Sequence, residues 1–418
     1  LQAYEFYLAG TNLVSAPVNQ EYIRLANRHF ERAVEVDPGF ALAWVELADT
    51  HVSLSMGNAS PVDREAARDA LDRADALEAG LPQADVVRGR MASLDGNHQA
   101  ALQFFESAER ALVGDARLHR EKGRAYQLAV ELEKSIDSYE RAVSLDPLDP
   151  ASRTWLARIY GKLREHDRAE AHARTALEFN PDCEFCRWTF GAMRLYRGDD
   201  LAAVLEALKG ELGWNEKSDW RAFVSAIHAQ VINRDYRAAQ ETVDAWEQYL
   251  GDEWPVEMFT EYRAYLTALE SGPEAAAGLY REFLEEGEAT LAENPDDMNA
   301  TRVTGEAHAW LGNREAAVAA AERLLSSELS RGELVMDFWT SDEVLIPTVL
   351  YILAPAKNKD LLLATLDKYF ASPGNWTIEV LRRFPMFDYL RDDPRWQALY
   401  EKYRRQDDVL LPADDGDN

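Results

Sequence analysis

A spacing that returns about every 34 residues constrains this chain more than any other feature. A small residue is followed by an apolar one four positions on, a small one three further, and a proline five after that. Ala26, Phe30, Ala33 and Pro38 fit, as do Ser135, Tyr139, Ala142 and Pro147. Ala169, Ala173, Ala176 and Pro181 keep the pattern with a small residue in the second place. Ala101, Phe105 and Ala108 keep it without the proline, and Ala67, Leu71 and Ala74 follow it loosely. Steps of four and three place these side chains on one stripe of a helix. The small residues admit a neighbouring helix, the aromatic fills the gap between them, and the proline ends the helix by removing an N–H and clashing with the preceding turn.

A second stripe precedes each of these. Trp44, Leu47, Ala48 and His51 form one, His119, Lys122, Gly123 and Tyr126 another, and Arg153, Leu156, Ala157 and Tyr160 a third. The unit is therefore a first helix, a short turn and a second helix, closed at Asp-Pro. Neither helix can bury its face alone, so the expected fold is an all-α array in which stacked helical hairpins share one continuous core. The stretch Met56 to Arg64 is expected to lengthen the turn of its repeat.

The Trp-Leu-Ala-His set at 44, 47, 48 and 51 and the closing AVEVDP (33–38) and AVSLDP (142–147) resemble the tetratricopeptide repeat. The resemblance is strong over 20–181, weaker over 182–327, where repeats are expected near 184–217, 220–250, 258–294 and 298–330, and lost after about 333. It implies a right-handed α-solenoid. The expected divisions are 1–181 and 182–332 for the two halves of the array, 333–406 for a helical C-terminal cap and 407–418 for an acidic tail. The cap segment loses the period but keeps large apolar residues, Phe338, Trp339, Tyr351, Trp376, Phe384, Phe387, Tyr389 and Trp396 among them. It is expected to cover the last helix pair, broken at Pro347, Pro355, Pro373 and Pro385, with Asp393-Pro394 opening the final helix.

Three further stretches, AYEFYLAG (3–10), FERAVEVDPGFALAWVELAD (30–49) and FDYLRDDPRWQALYEKY (387–403), resemble the C-terminal repeat regions of bacterial multidomain signalling proteins. Those carry a winged-helix, nucleotide-cyclase or kinase module at the N-terminus. The resemblance implies a sensory or protein-docking arm. The chain opens at Leu1 without an initiator methionine, as a piece of a longer protein would.

Of 418 residues, 47% are hydrophobic, enough for a large core, and the 45 Lys and Arg against 74 Asp and Glu leave a net charge of −29. That balance opposes gripping a nucleic-acid backbone or an anionic membrane surface through this segment. The longest apolar stretch, Val344 to Ala356, is about half the length of a membrane span. The compartment stays open between cytoplasm and, with an upstream membrane helix, the far side of the membrane.

No Gly-rich phosphate loop, His-Glu-x-x-His or serine elbow is present, so the chain is read as a non-enzyme without cofactors. His51 is expected as a packed core residue, and His166 and His172 as residues of a solvated helix face. Cys183 and Cys186 form a C-x-x-C that could be incidental, a disulfide or a weak metal candidate lacking a second ligand pair.

The register implied by the tetratricopeptide resemblance places Arg90, Arg117, Arg120, Arg124, Arg158 and Lys162 on the inner face, beside Phe185, Trp188 and Tyr196. Guanidinium forks hold carboxylates bidentately, and the aromatics would take apolar side chains. The expected function is docking of a protein or peptide with acidic residues, either a terminal carboxylate or an internal acidic segment. A small anionic ligand sensed by the same stripe and a multimerising scaffold are the alternatives. The bland reading is that these arginines pair with neighbouring carboxylates such as Asp49 or Glu121.

Overall fold

A computed structural model of the chain describes residues 1–14, 20–58, 60–210, 213–215, 218–251, 256–326, 345–371 and 374–404. Phe338, Trp339, Pro373 and the acidic tail lie outside them. Among the described residues the secondary structure is helical throughout, with no strand. The fold is an all-α array of helix-turn-helix pairs. It divides into two compact units, Leu1–Ser152 and Arg153–Asn418; the sequence-based divisions were 181, 332 and 406.

The first unit contains α1 (Gln2–Val14), α2 (Gln20–Val36), α3 (Ala41–Asn58), α4 (Pro61–Leu77), α5 (Pro82–Leu94), α6 (His98–Glu109), α7 (Ala116–Leu128) and α8 (Leu132–Leu145). Helix α9 (Pro150–Lys162) runs across the division. The second unit continues with α10 (His166–Phe179), α11 (Glu184–Arg197), α12 (Leu201–Lys209), α13 (Trp220–Ile232), α14 (Tyr236–Leu250), α15 (Val256–Ser271), α16 (Pro273–Glu293), α17 (Met298–Trp310) and α18 (Arg314–Ser326). After it come α19 (Leu345–Leu353), α20 (Lys359–Phe370), α21 (Ile378–Leu381), a 3₁₀ turn at Pro385–Leu390 and α22 (Pro394–Tyr403).

The sequence sets the helix ends locally. Asn97, Asp115, Asp235 and Asp297 accept from the backbone N–H three residues on, satisfying donors left bare at a helix start. Pro61, Pro82, Pro273 and Pro394 occupy first-turn positions that need no N–H. The period also appears in the backbone. Gly96, Val130, Arg164 and Gly198, spaced by 34, each close the turn inside a hairpin with positive φ, at 76°, 62°, 61° and 90°. The Met56–Arg64 stretch behaves differently from expectation: α3 extends to Asn58 and α4 starts at Pro61, so the extra residues lengthen a helix and leave the turn short.

Packing within each hairpin follows the small-and-large logic. A Cβ on Gly89 would come within 2.4 Å of the Phe105 ring, and one on Gly123 within 2.9 Å of Tyr139. Phe105 and Tyr139 are fully buried. Burying such a ring contributes about 2–3 kcal/mol, and the glycine is what lets the ring approach the facing backbone.

The C-terminal segment does more than cover the last pair. Helix α19 packs on α17 and α18, with Ile352 against Gly305. The chain then returns over the C-terminal ends of α9, α11 and α13. The Gly374 N–H donates to the Lys162 carbonyl at 2.8 Å. The Arg164 guanidinium donates to the carbonyls of Tyr369, Phe370 and Trp376 at 3.4, 3.3 and 3.4 Å. Two of these are the closing carbonyls of α20, where a cation is favoured by the helix dipole. Arg234 pairs with Asp388 at 2.7 Å. The cause is apolar surface: Leu362, Leu366, Phe370, Trp376, Ile378 and Phe384 are all buried, and so short a string of helices cannot bury them by itself. Of the expected breaks, Pro347 lies in the first turn of α19, Pro355 just beyond its end, and Pro385 opens the 3₁₀ turn.

Candidate docking face

The first helices α3, α5 and α7 of the first unit bring Glu46, Asp49, Arg90, Arg117, Arg120, Glu121 and Arg124 to one face. Asp149, just before α9, borders it. Spacings of three and four along α3 (46, 49, 53) and α7 (117, 120, 121, 124) align the side chains of each helix. Asp49 takes a guanidinium on each oxygen, Arg90 on Oδ1 and Arg117 on Oδ2. Arg90 also donates to Ser53 Oγ at 3.1 Å and faces Glu121 at 3.6 Å. Arg117 lies 3.8 Å from Glu46, and Arg120 lies 3.9 Å from Glu121 and 3.2 Å from Asp149.

Four arginines thus meet four carboxylates, Glu46, Asp49, Glu121 and Asp149. Of the two readings of the stripe, the structure has the one in which the arginines pair with neighbouring carboxylates, Asp49 and Glu121 among them. Alternation of sign is what allows it to be half-buried, because an uncompensated charge there would cost several kcal/mol. Burial pushes the Asp49 carboxyl up, but Arg117 and Arg90 more than offset this and hold it below the usual range. Glu121 is likewise lowered, by Arg90, Arg120 and Arg124 against burial. Burial raises Glu46, with Arg117 offsetting only part. The Arg124 guanidinium is lowered by burial, and the nearby Arg90 and Arg120 add to this against Glu121. The network is also layered. The Arg117 and Arg120 side chains are 31% and 30% exposed, while those of Asp49 and Asp149 beneath them are 5% and 9% exposed.

The remaining expected residues belong to the second unit. Phe185 and Trp188 lie between two guanidiniums, Arg158 at 5.6 and 5.3 Å and Arg221 at 5.5 and 5.3 Å. Trp188 donates from its indole to Ser225 at 3.1 Å and is buried. Lys162 and Tyr196 are not open to a partner. Both are buried where the C-terminal segment lies: Gly374 bonds the Lys162 carbonyl, Thr377 Oγ1 donates to the Tyr196 carbonyl at 3.4 Å, and Trp376 meets the Tyr196 ring edge-on at 4.9 Å. Sequence reasoning missed His228, whose Nε2 is 3.0 Å from the Tyr351 hydroxyl between Trp376 and Phe384. Burial pushes it down to about 4. Its only advance signal was its place on a first helix.

Cys183 and Cys186 are joined by a disulfide at the start of α11, so neither sulfur is the thiolate ligand weighed from the sequence. Among the described residues no group of three or more His, Cys, Asp or Glu is placed to hold a metal ion, and no helix is long and apolar enough to cross a membrane. His51 is half-buried, with Nδ1 2.9 Å from Asp63. His166 departs from the solvated face expected for it: burial, then Arg164 and Arg197, push it down to about 4. His172 stacks on Tyr160 at 5.6 Å.

Residues 120–182 match the family model of the tetratricopeptide repeat. They run from within α7 through α10, including three of the face's arginine and glutamate positions. Among solved structures the chain is similar to TTC0263, a thermophilic tetratricopeptide protein of Thermus thermophilus, at 24% identity over 46% of this chain and 99% of that one, TM-score 0.39. It is similar to a tetratricopeptide repeat protein from Parabacteroides merdae at 16% identity over 66% and 99%, TM-score 0.46. A third is YrrB, described as having an unusual peptide-binding site, at 18% identity over 48% and 97%, TM-score 0.33. No curated protein matches the sequence.

Proposed function

We propose that the chain is a non-catalytic docking module that takes an acidic segment of a partner protein on the α3–α5–α7 face of its first unit. The layering carries this reading. The face is neutral in sum, but its outermost groups are guanidiniums and its carboxylates lie beneath them. An approaching carboxylate meets Arg117 and Arg120 first. Of the second unit's stripe residues, Lys162 and Tyr196 are covered by the chain's own C-terminal segment. In this reading the module is the docking arm of a longer signalling protein, as the resemblance of residues 3–10, 30–49 and 387–403 implies.

The test is the double variant Arg117→Gln, Arg120→Gln, titrated at low salt with a fluorescent Glu-rich peptide. Loss of two charge-assisted contacts should weaken binding by about tenfold or more, with helical ellipticity unchanged. Equal affinity for wild type and variant refutes the reading.

A further inference from the structure

A second basic site lies at the other end of the sequence. Arg382 and Arg383 follow α21, Arg391 follows the 3₁₀ turn, and Trp396, Gln397 and Tyr400 share one face of α22. Together they line a half-open cleft of about 420 Å³, within the size range of small-molecule sites and too small for a folded partner.

The charges around it do not cancel. Arg382 pairs with Glu379 at 2.8 Å and Arg391 with Asp388 at 2.7 Å. Asp388 is shared, because Arg234 holds the same oxygen at 2.7 Å. Arg383 donates only to the neutral Asn233 side chain, at 3.4 Å, with no carboxylate partner among the described residues. Three lining guanidiniums therefore face two carboxylates, one of which Arg234 also uses, a local positive excess in a chain of net charge −29. One side of the cleft is aromatic. Arg382 lies over the Tyr400 ring at 4.7 Å, which fixes the guanidinium plane, and Gln397 is held by the Arg391 carbonyl at 3.3 Å. These residues come from three short elements, two of which are pinned to α13 and the turn after it through Asn233 and Arg234.

We infer that this cleft binds a small organic anion carrying two or more negative charges, phosphate or carboxylate, with its oxygens on Arg383 and Arg391 and its body against Tyr400. Planar guanidinium forks suit either oxyanion, and an anionic ligand would offset the local excess. The site is separate from the face on the first unit and does not depend on that reading. It also gives the stretch 387–403 a role beyond covering helices, since that stretch supplies four of the six lining residues.

Calorimetry on the full chain at low ionic strength, with pyrophosphate in one arm and citrate in the other, tests the inference. At least one should bind, and the tighter of the two assigns phosphate or carboxylate. Arg383→Ala and Arg391→Ala should each weaken binding by about tenfold, while Arg117→Gln with Arg120→Gln leaves it unchanged. Arg391→Lys, which keeps the charge and loses the fork, should retain part of the affinity and separates recognition from misfolding. No binding of either anion overturns the inference. So does equal weakening by the first-unit variant, or a preference for an acidic peptide over both anions.

Discussion

Asp49 holds the first unit's face together, and its removal gives the sharpest test of the network. Asp49→Ala removes one shared partner from two guanidiniums with different options. Arg117 is 31% exposed and can turn toward water or Glu46. Arg90 is 9% exposed, with Ser53 at 3.1 Å and a Glu121 oxygen at 3.6 Å beside it. Breaking a buried pair from one side costs about 3–5 kcal/mol, and since only Arg90 is truly confined, the lower figure applies, about 3 kcal/mol. In urea, with a slope of about 2 kcal/mol/M, the first transition should fall by about 1.5 M, while a second transition from the Arg153–Asn418 unit stays in place. The pair Asp49→Leu with Arg90→Met removes both charges and fills their volume, and should recover most of the loss. The Asp49 carboxyl is held below its ordinary range, so its contribution is present above that range and lost as pH falls through the lowered folded-state value. Wild type and Asp49→Ala should therefore converge in acid. A midpoint shift below about 0.3 M, or a double variant as unstable as the single, refutes the network.

Burial raises Glu306 to about 7, with Arg302 offsetting only part and Glu261 adding to the rise. The folded state holds this proton more tightly than the unfolded chain, so stability declines as pH climbs from 4.5 to about 7, by about 3 kcal/mol at most. Glu306→Gln should accordingly raise Tm above neutral pH and give no gain in mild acid; a pH-independent difference counts against this. Val130 is an exposed β-branched residue at φ 62° in a turn where Gly96 and Gly198 occupy the equivalent places, so Val130→Gly should stabilise by about 1 kcal/mol in urea unfolding, and a destabilised variant contradicts the strain. Arg164→Gly keeps the positive φ but removes the guanidinium from the end of α20. Hydrogen exchange over 359–376 should then quicken by about tenfold or more, and unchanged protection means that Arg164 does not hold the segment. Gly89→Val would drive a side chain into Phe105 and should cost about 2–3 kcal/mol by overpacking, measured as a lowered urea midpoint.

The hairpins were legible in the sequence because their contacts are local. Gly89 meets Phe105 and Gly123 meets Tyr139 across one short turn, and the same relation recurs in the next repeat, so a period of residue types is a direct image of the packing. The caps and prolines are local too, and they fixed helix ends. The arginines of the face were legible as positions, since one helix decides which way they point. Pairing with Asp49 and Glu121 was one of two readings the sequence allowed, and it could not choose between them, because the partners come from other hairpins: Asp49 reaches Arg90 across 41 residues and Asp149 reaches Arg120 across 29.

Tertiary structure alone decided the fate of the second unit's inner residues. Lys162, Tyr196 and His228 are covered by a segment about 120 to 210 positions later in the chain, and nothing in that segment repeats the period or marks its destination. Its leucines and aromatics announced only that they needed a surface. Which surface they found depended on shape and on three backbone carbonyls offered to Arg164, and backbone carbonyls leave no trace in a sequence.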